Sequence, residues 1–81
     1  MKAKGKGLNP DPKIVRRVFG LNLKNCRKIA QLSQMELAAR SCIELSTLYR
    51  IEAAKADASL STLARIRNAL GVDWDKLLEK V

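Results

Sequence analysis

The side chains that do chemistry are unevenly represented, and the gaps exclude more than they permit. The chain has no histidine, so it lacks the one side chain that titrates near neutral pH and the commonest metal ligand. Its two cysteines, Cys26 and Cys42, have no imidazole partner to make a nucleophile or a metal site. They read as free thiols that behave as small buried hydrophobes in a reducing compartment. Asp73 and Asp75 sit two apart at a helix start, where their side chains do not face each other and cannot share acid and base work. What remains is cation chemistry, with 16 Lys and Arg against 8 Asp and Glu for a formal charge of +8. The expectation is a protein that is not an enzyme and carries no metal, cofactor or small-molecule ligand.

The placement of the charge says more than its total. Nine basic residues (Lys2, Lys4, Lys6, Lys13, Arg16, Arg17, Lys24, Arg27, Lys28) precede Ile29 against a single acid, Asp11; from Ile29 onward seven bases and seven acids cancel. A polyanion therefore meets the front end first, nucleic acid being the leading candidate and an anionic membrane surface the second. The 81 residues allow one small domain, and 47% hydrophobic with 30% charged residues makes it globular. No apolar run reaches the roughly 18 to 20 residues of a membrane span, and the basic start is not followed by a secretory apolar stretch. A cytoplasmic protein is expected.

The elements that must position these charges are helices, because Val, Ile, Thr and aromatic residues never alternate over a strand's length. Residues 1–10, "MKAKGKGLNP", form a flexible basic arm and residues 11–81 a single domain. Asp11 caps a helix that begins at Pro12 and runs toward Gln31, with Leu23, Cys26 and Ala30 on one face and Gly20 as a point of interruption. "SQME" is a capping box in which Ser33 and Glu36 serve each other's backbone N–H groups. The second helix turns Leu37 and Ala38 inward and ends near Ser41; the third begins after Glu44 with Leu48 and Ile51 inward. Ser59 opens a fourth whose apolar stripe is Leu60, Leu63, Ile66 and Leu70, stopped by Gly71. Asp73 caps a fifth, "WDKLLEKV", with Trp74, Leu77, Leu78 and Val81 on one side. The fold class is all-α, a compact five-helix domain.

Two short helices joined by a tight bend, in a small domain with a basic end, point to a helix-turn-helix. "LSQMELAARSCIELSTLYRIEAAK", Leu32 to Lys55, closely resembles the helix-turn-helix of the phage repressor and Cro family, and "LSTLARIRNALGVDWDKLL" resembles the two helices that follow it there. The likeness extends over roughly Phe19 to Leu78.

The resemblance implies that the helix after Glu44, at about residues 45–53, lies in the major groove of double-stranded DNA, with Leu45, Ser46 and Arg50 over base edges. It implies that Gln34 grips a phosphate at the start of the second helix. Glu44, Thr47, Tyr49 and Lys55 fall where flanking backbone or base contacts are made. Arg50 is the sharpest reader, since a guanidinium fork matches guanine O6 and N7, whereas Leu45 offers only an apolar contact to a thymine methyl. Arg27 and Glu52 are similar to a bridge that holds the recognition helix at its docking angle. Cys42 and Ala54 stand where the family tends to place glycine, and Cys42 is expected in the left-handed conformation at a cost of roughly 1 to 2 kcal/mol.

From Glu36 to Asp57 four acids oppose three bases, so the recognition unit needs electrostatic help from the front end. Lys2, Lys4 and Lys6 on the arm are expected to supply part of it, following phosphates or lying along a minor groove. The function so implied is a sequence-specific DNA-binding transcriptional regulator, a repressor and a homodimer. Two-fold proteins read half-sites about 34 Å apart, and Trp74, Leu77, Leu78 and Val81 are the expected dimer face. The alternative is a protein-interaction module, antitoxin-like or adaptor-like, using the same fold with Leu45, Tyr49 and the Ala-rich end of the helix as an apolar contact.

Overall fold

The structure is a computed structural model that describes residues 10–81; Lys2, Lys4 and Lys6 lie outside the described residues. Among the described residues the chain forms five helices and no strand: α1 Pro12–Ile29, α2 Gln34–Ser41, α3 Leu45–Glu52, α4 Leu60–Leu70 and α5 Trp74–Leu77. The fold is all-α, and among the described residues no helix is long and apolar enough to cross a membrane.

α1 starts where its signals place it. An Asp11 carboxylate oxygen accepts from the Lys13 N–H at 2.9 Å, and Pro12 takes the first position, which has no N–H to satisfy. Gly20 does not interrupt the helix. Its role is to admit a neighbour: a Cβ there would stand 2.9 Å from the carbonyl oxygens of both Ile51 and Glu52. The end of α3 therefore crosses α1 at a distance only glycine allows.

α2 opens with the capping box: the Ser33 hydroxyl accepts from the Glu36 N–H at 3.0 Å and the Glu36 carboxylate accepts from the Ser33 N–H at 2.8 Å. The Ser33 backbone and then its hydroxyl hold the Glu36 carboxyl below the usual carboxylate range.

The bends share one device. Gln31, Cys42 and Ala54 have φ of 61°, 56° and 62°, and each closes the preceding helix with the same pair of bonds. Leu32, Ile43 and Lys55 N–H groups reach back to Arg27, Ala38 and Arg50 carbonyls, while Gln31, Cys42 and Ala54 N–H groups bond Lys28, Ala39 and Ile51 carbonyls. This is the Schellman arrangement, normally centred on glycine, built three times on residues that carry a Cβ. Gln31 ends α1 at Ile29, two residues before the expected stop. Only α4 ends on a glycine, Gly71 at φ 68°.

Phe19, Leu23, Leu32, Leu37, Ala38, Leu48, Ile51, Ile66 and Leu77 form the core, each large aliphatic side chain contributing about 1.5 to 3 kcal/mol by leaving water. α2 packs on α3 and α4, and α1 packs on α3 and α5. Three expected placements differ. Ala30 is exposed because it caps α1 beyond its last turn. Leu60 is 78% exposed because, as the first residue of α4, it precedes the packed turns. α5 is a single turn and not an eight-residue helix; Asp73 takes the cap position without a side-chain bond.

Candidate nucleic-acid interface

α3 acquires two faces from its spacing. Leu48 and Ile51 are buried at 0% and 1% exposure, which turns Leu45, Ser46, Tyr49 and Arg50 outward; all four are exposed and Thr47 is half-buried. Glu44 is the exposed cap residue and makes no side-chain bond to the helix. Lys55 follows the left-handed Ala54 and is also exposed. The bend between α2 and α3 is held from outside by Arg65, whose guanidinium donates to the Cys42 carbonyl at 3.1 Å.

The angle of α3 is fixed by a buried polar cluster at its end. The Arg27 Nε donates to one Glu52 carboxylate oxygen at 2.7 Å and a terminal nitrogen donates to the other at 3.0 Å. The remaining terminal nitrogen donates to the Leu32 carbonyl at 2.9 Å. The Glu52 side chain is 2% exposed and that of Arg27 11%. The bidentate bond to Glu52 raises the Arg27 pKa above its ordinary value, against the opposing effect of burial. α1, the α1–α2 bend and α3 are thus pinned at one point, directly beside the close crossing at Gly20.

Gln34 belongs to this cluster. Its Nε2 donates to a Glu52 carboxylate oxygen at 3.0 Å, so the residue expected to grip phosphate is anchored by the residue expected only to brace α3. One of the two amide hydrogens is used in this way, and the other makes no hydrogen bond among the described residues. Gln34, Tyr49, Glu52, Ala53 and Lys24 line a shallow notch of about 230 Å³. Neither Lys24 nor the Gln34–Glu52 bond was foreseen from the sequence. The position of Lys24 on the exposed side of α1 was readable from helical spacing, but the bond depends on how α2 and α3 cross.

The residues expected at a dimer face divide. Leu77 is at 0% exposure and belongs to the protein's own core, so it is removed from that face; its backbone is tied to α1 by Asn22, which donates to the Leu77 carbonyl at 2.9 Å. Trp74 is half-buried, with the Arg67 guanidinium 5.3 Å from its ring centre. Leu78 and Val81 are 38% and 45% exposed and border a groove of about 220 Å³ with Val15, Phe19 and Leu63. Cys26 is half-buried against the core, but Cys42 is exposed and not buried as expected, because it caps α2 in the left-handed bend outside the packed turns; burial raises the Cys26 pKa, with Lys76 opposing it. Among the described residues no cluster of three or more His, Cys, Asp or Glu side chains could hold a metal ion.

Residues 23–77 match the family model described as helix-turn-helix. The fold is similar to the crystal structure of a hypothetical transcription factor, NHTF, from Neisseria. The two are 27% identical, with 95% of this chain and 88% of the other covered at a TM-score of 0.75. No curated protein matches the chain. The matched span takes in the end of α1 from Leu23, the α2–α3 pair with its left-handed bend, α4 and α5, and on that ground the chain belongs to the helix-turn-helix family of the phage repressor and Cro type.

Proposed function

We propose that the protein is a sequence-specific regulator of transcription that binds double-stranded DNA as a homodimer, acts as a repressor, and works in the cytoplasm where its DNA lies. One observation carries this reading: a short helix, braced at its end by a buried ion pair, presents Leu45, Ser46, Tyr49 and Arg50 outward. A helix of this size fits the major groove of B-form DNA. The likeness to a protein described as a hypothetical transcription factor supports it.

Within this reading, residues 45–53 enter the groove and Arg50 reads a guanine through its two-pronged fork. Ser46 bonds a neighbouring base edge, and Leu45 covers a thymine methyl. Gln34 takes a phosphate with the amide hydrogen that Glu52 leaves free. Glu44, Thr47, Tyr49 and Lys55 flank the contact, and Lys2, Lys4 and Lys6 follow phosphates beyond it. Leu78 and Val81, with the exposed edge of Trp74, form the surface on which two copies meet.

Arg50→Ala is expected to lower affinity for a preferred duplex by roughly 1 to 3 kcal/mol while leaving binding to random duplex almost unchanged, as titrations of both by fluorescence anisotropy will show. Equal losses on the two duplexes contradict base reading by Arg50. The exposure of Leu45 and Tyr49, 42% and 56%, also suits an apolar contact with another protein. Salt separates the two readings, because DNA affinity falls steeply as salt rises and an apolar contact holds.

A further inference from the structure

Six cations lie along α1, and the structure sorts them into two groups. Arg16 is spent on Asp57, Nε to carboxylate oxygen 2.9 Å, and Arg27 on Glu52 at 2.7 Å. The other four, Lys13, Arg17, Lys24 and Lys28, are exposed. On a helix that advances about 100° per residue, these four fall within an arc of about 60°, so they form one stripe along the length of α1.

The stripe has a fixed relation to α3. Gly20, where the last carbonyls of α3 cross α1, lies about 20° outside the arc, so the end of α3 runs along the stripe's edge. Lys24 in the stripe lines the notch that Gln34 and Tyr49 also line, and Tyr49 is at the same time on the outward face of α3. The surface therefore continues without a break from the outward face of α3, through the notch, onto the four cations.

We propose that this α1 stripe is a second DNA-contacting surface, a rail for the sugar–phosphate backbone flanking the bases that α3 reads; it rests on the function proposed above. Four ammonium or guanidinium groups spaced along a helix neutralise successive phosphates and read no base, so the stripe supplies affinity without sequence preference. It also accounts for how a recognition unit with more acids than bases from Glu36 to Asp57 is held on a polyanion. An anionic lipid surface is the competing partner, since Ile14 and Leu21 beside the stripe are 52% and 54% exposed. Continuity with α3 favours the duplex.

The test compares two charge-matched variants of the full chain. Arg17→Gln with Lys28→Gln removes two stripe charges. Lys76→Gln with Lys80→Gln removes two charges near the C-terminal turn, which Asn22 holds by the Leu77 and Glu79 carbonyls about 150° round α1 from the middle of the stripe. All four residues are exposed, and thermal melting checks that both variants fold as the parent does. Affinity for a labelled random-sequence duplex is measured from about 50 to 200 mM salt. The stripe variant is expected to bind more weakly, with a slope of log affinity against log salt shallower by about 0.9 for each lost phosphate contact, and the control to keep the parent's slope. Equal slopes for the two variants overturn the stripe while the parent's binding to DNA stands. A parent that binds no duplex overturns the stripe and the function together. Loss of binding to phosphatidylserine vesicles in the stripe variant alone, with its duplex slope unchanged, overturns the proposal in favour of the lipid surface.

Discussion

Glu52→Ala is expected to melt far below the parent. The Glu52 carboxylate is almost wholly buried and receives two bonds from Arg27 and one from Gln34. Removing it leaves a guanidinium largely enclosed with a single carbonyl partner, Leu32. Breaking one side of a buried ion pair costs roughly 3 to 5 kcal/mol, and in a domain of this size each kcal/mol lowers the melting temperature by about 4 to 8 °C. The drop should exceed about 12 °C, a large part of the stability such a domain has. Arg27→Met combined with Glu52→Leu should recover much of that loss, because it removes both charges and refills their volume. The recovered protein should still bind preferred DNA poorly, since Gln34 has lost its anchor. A single Glu52→Ala variant that melts within a few degrees of the parent contradicts the bracing role.

The second large effect is expected at Gly20. A side chain there meets two backbone carbonyls at 2.9 Å, and backbone cannot rotate aside as a flexible side chain can. Gly20→Val should cost at least the about 1 to 3 kcal/mol typical of overpacking and push the end of α3 away from α1. The same displacement stretches the Arg27–Glu52 bonds, so affinity for a preferred duplex should fall with the melting temperature, both read on one preparation. An ordinary helix position would respond in the opposite sense, because replacing an interior glycine usually gains helix propensity. A Gly20→Val protein as stable as the parent would mean that the crossing is looser than described.

Gly20 also shows what the sequence can and cannot display. As a residue in a helix it reads as a weak point, since only the tertiary crossing reveals why a side chain is excluded. The features set by residues close in sequence were legible: Asp11, Ser33 and Ser59 as caps, the Ser33–Glu36 box, and the inward turn of Leu48 and Ile51. The left-handed Cys42 came through resemblance to a family, because composition alone prefers glycine there. Gln31, left-handed in the same way, passed unmarked for want of any such expectation. The last helix is shorter than its apolar stripe suggests: a stripe ending in Leu77, Leu78 and Val81 does not say which of its members the core takes, and the core takes Leu77. The Gln34–Glu52 bond joins residues far apart in the chain and follows from the crossing of α2 and α3.

The outward face of α3 is expected to read DNA sequence. Selection of preferred sites from a pool of random duplexes by the full chain, followed by titration of the selected site at two salt concentrations, tests it most directly. The predicted result is an enriched sequence with two-fold symmetry, its half-sites centred about 34 Å apart. It should bind more tightly than random duplex at both salt concentrations, while absolute affinity falls as salt rises. A pool that emerges as random as it began, with the protein holding every duplex equally, would contradict it.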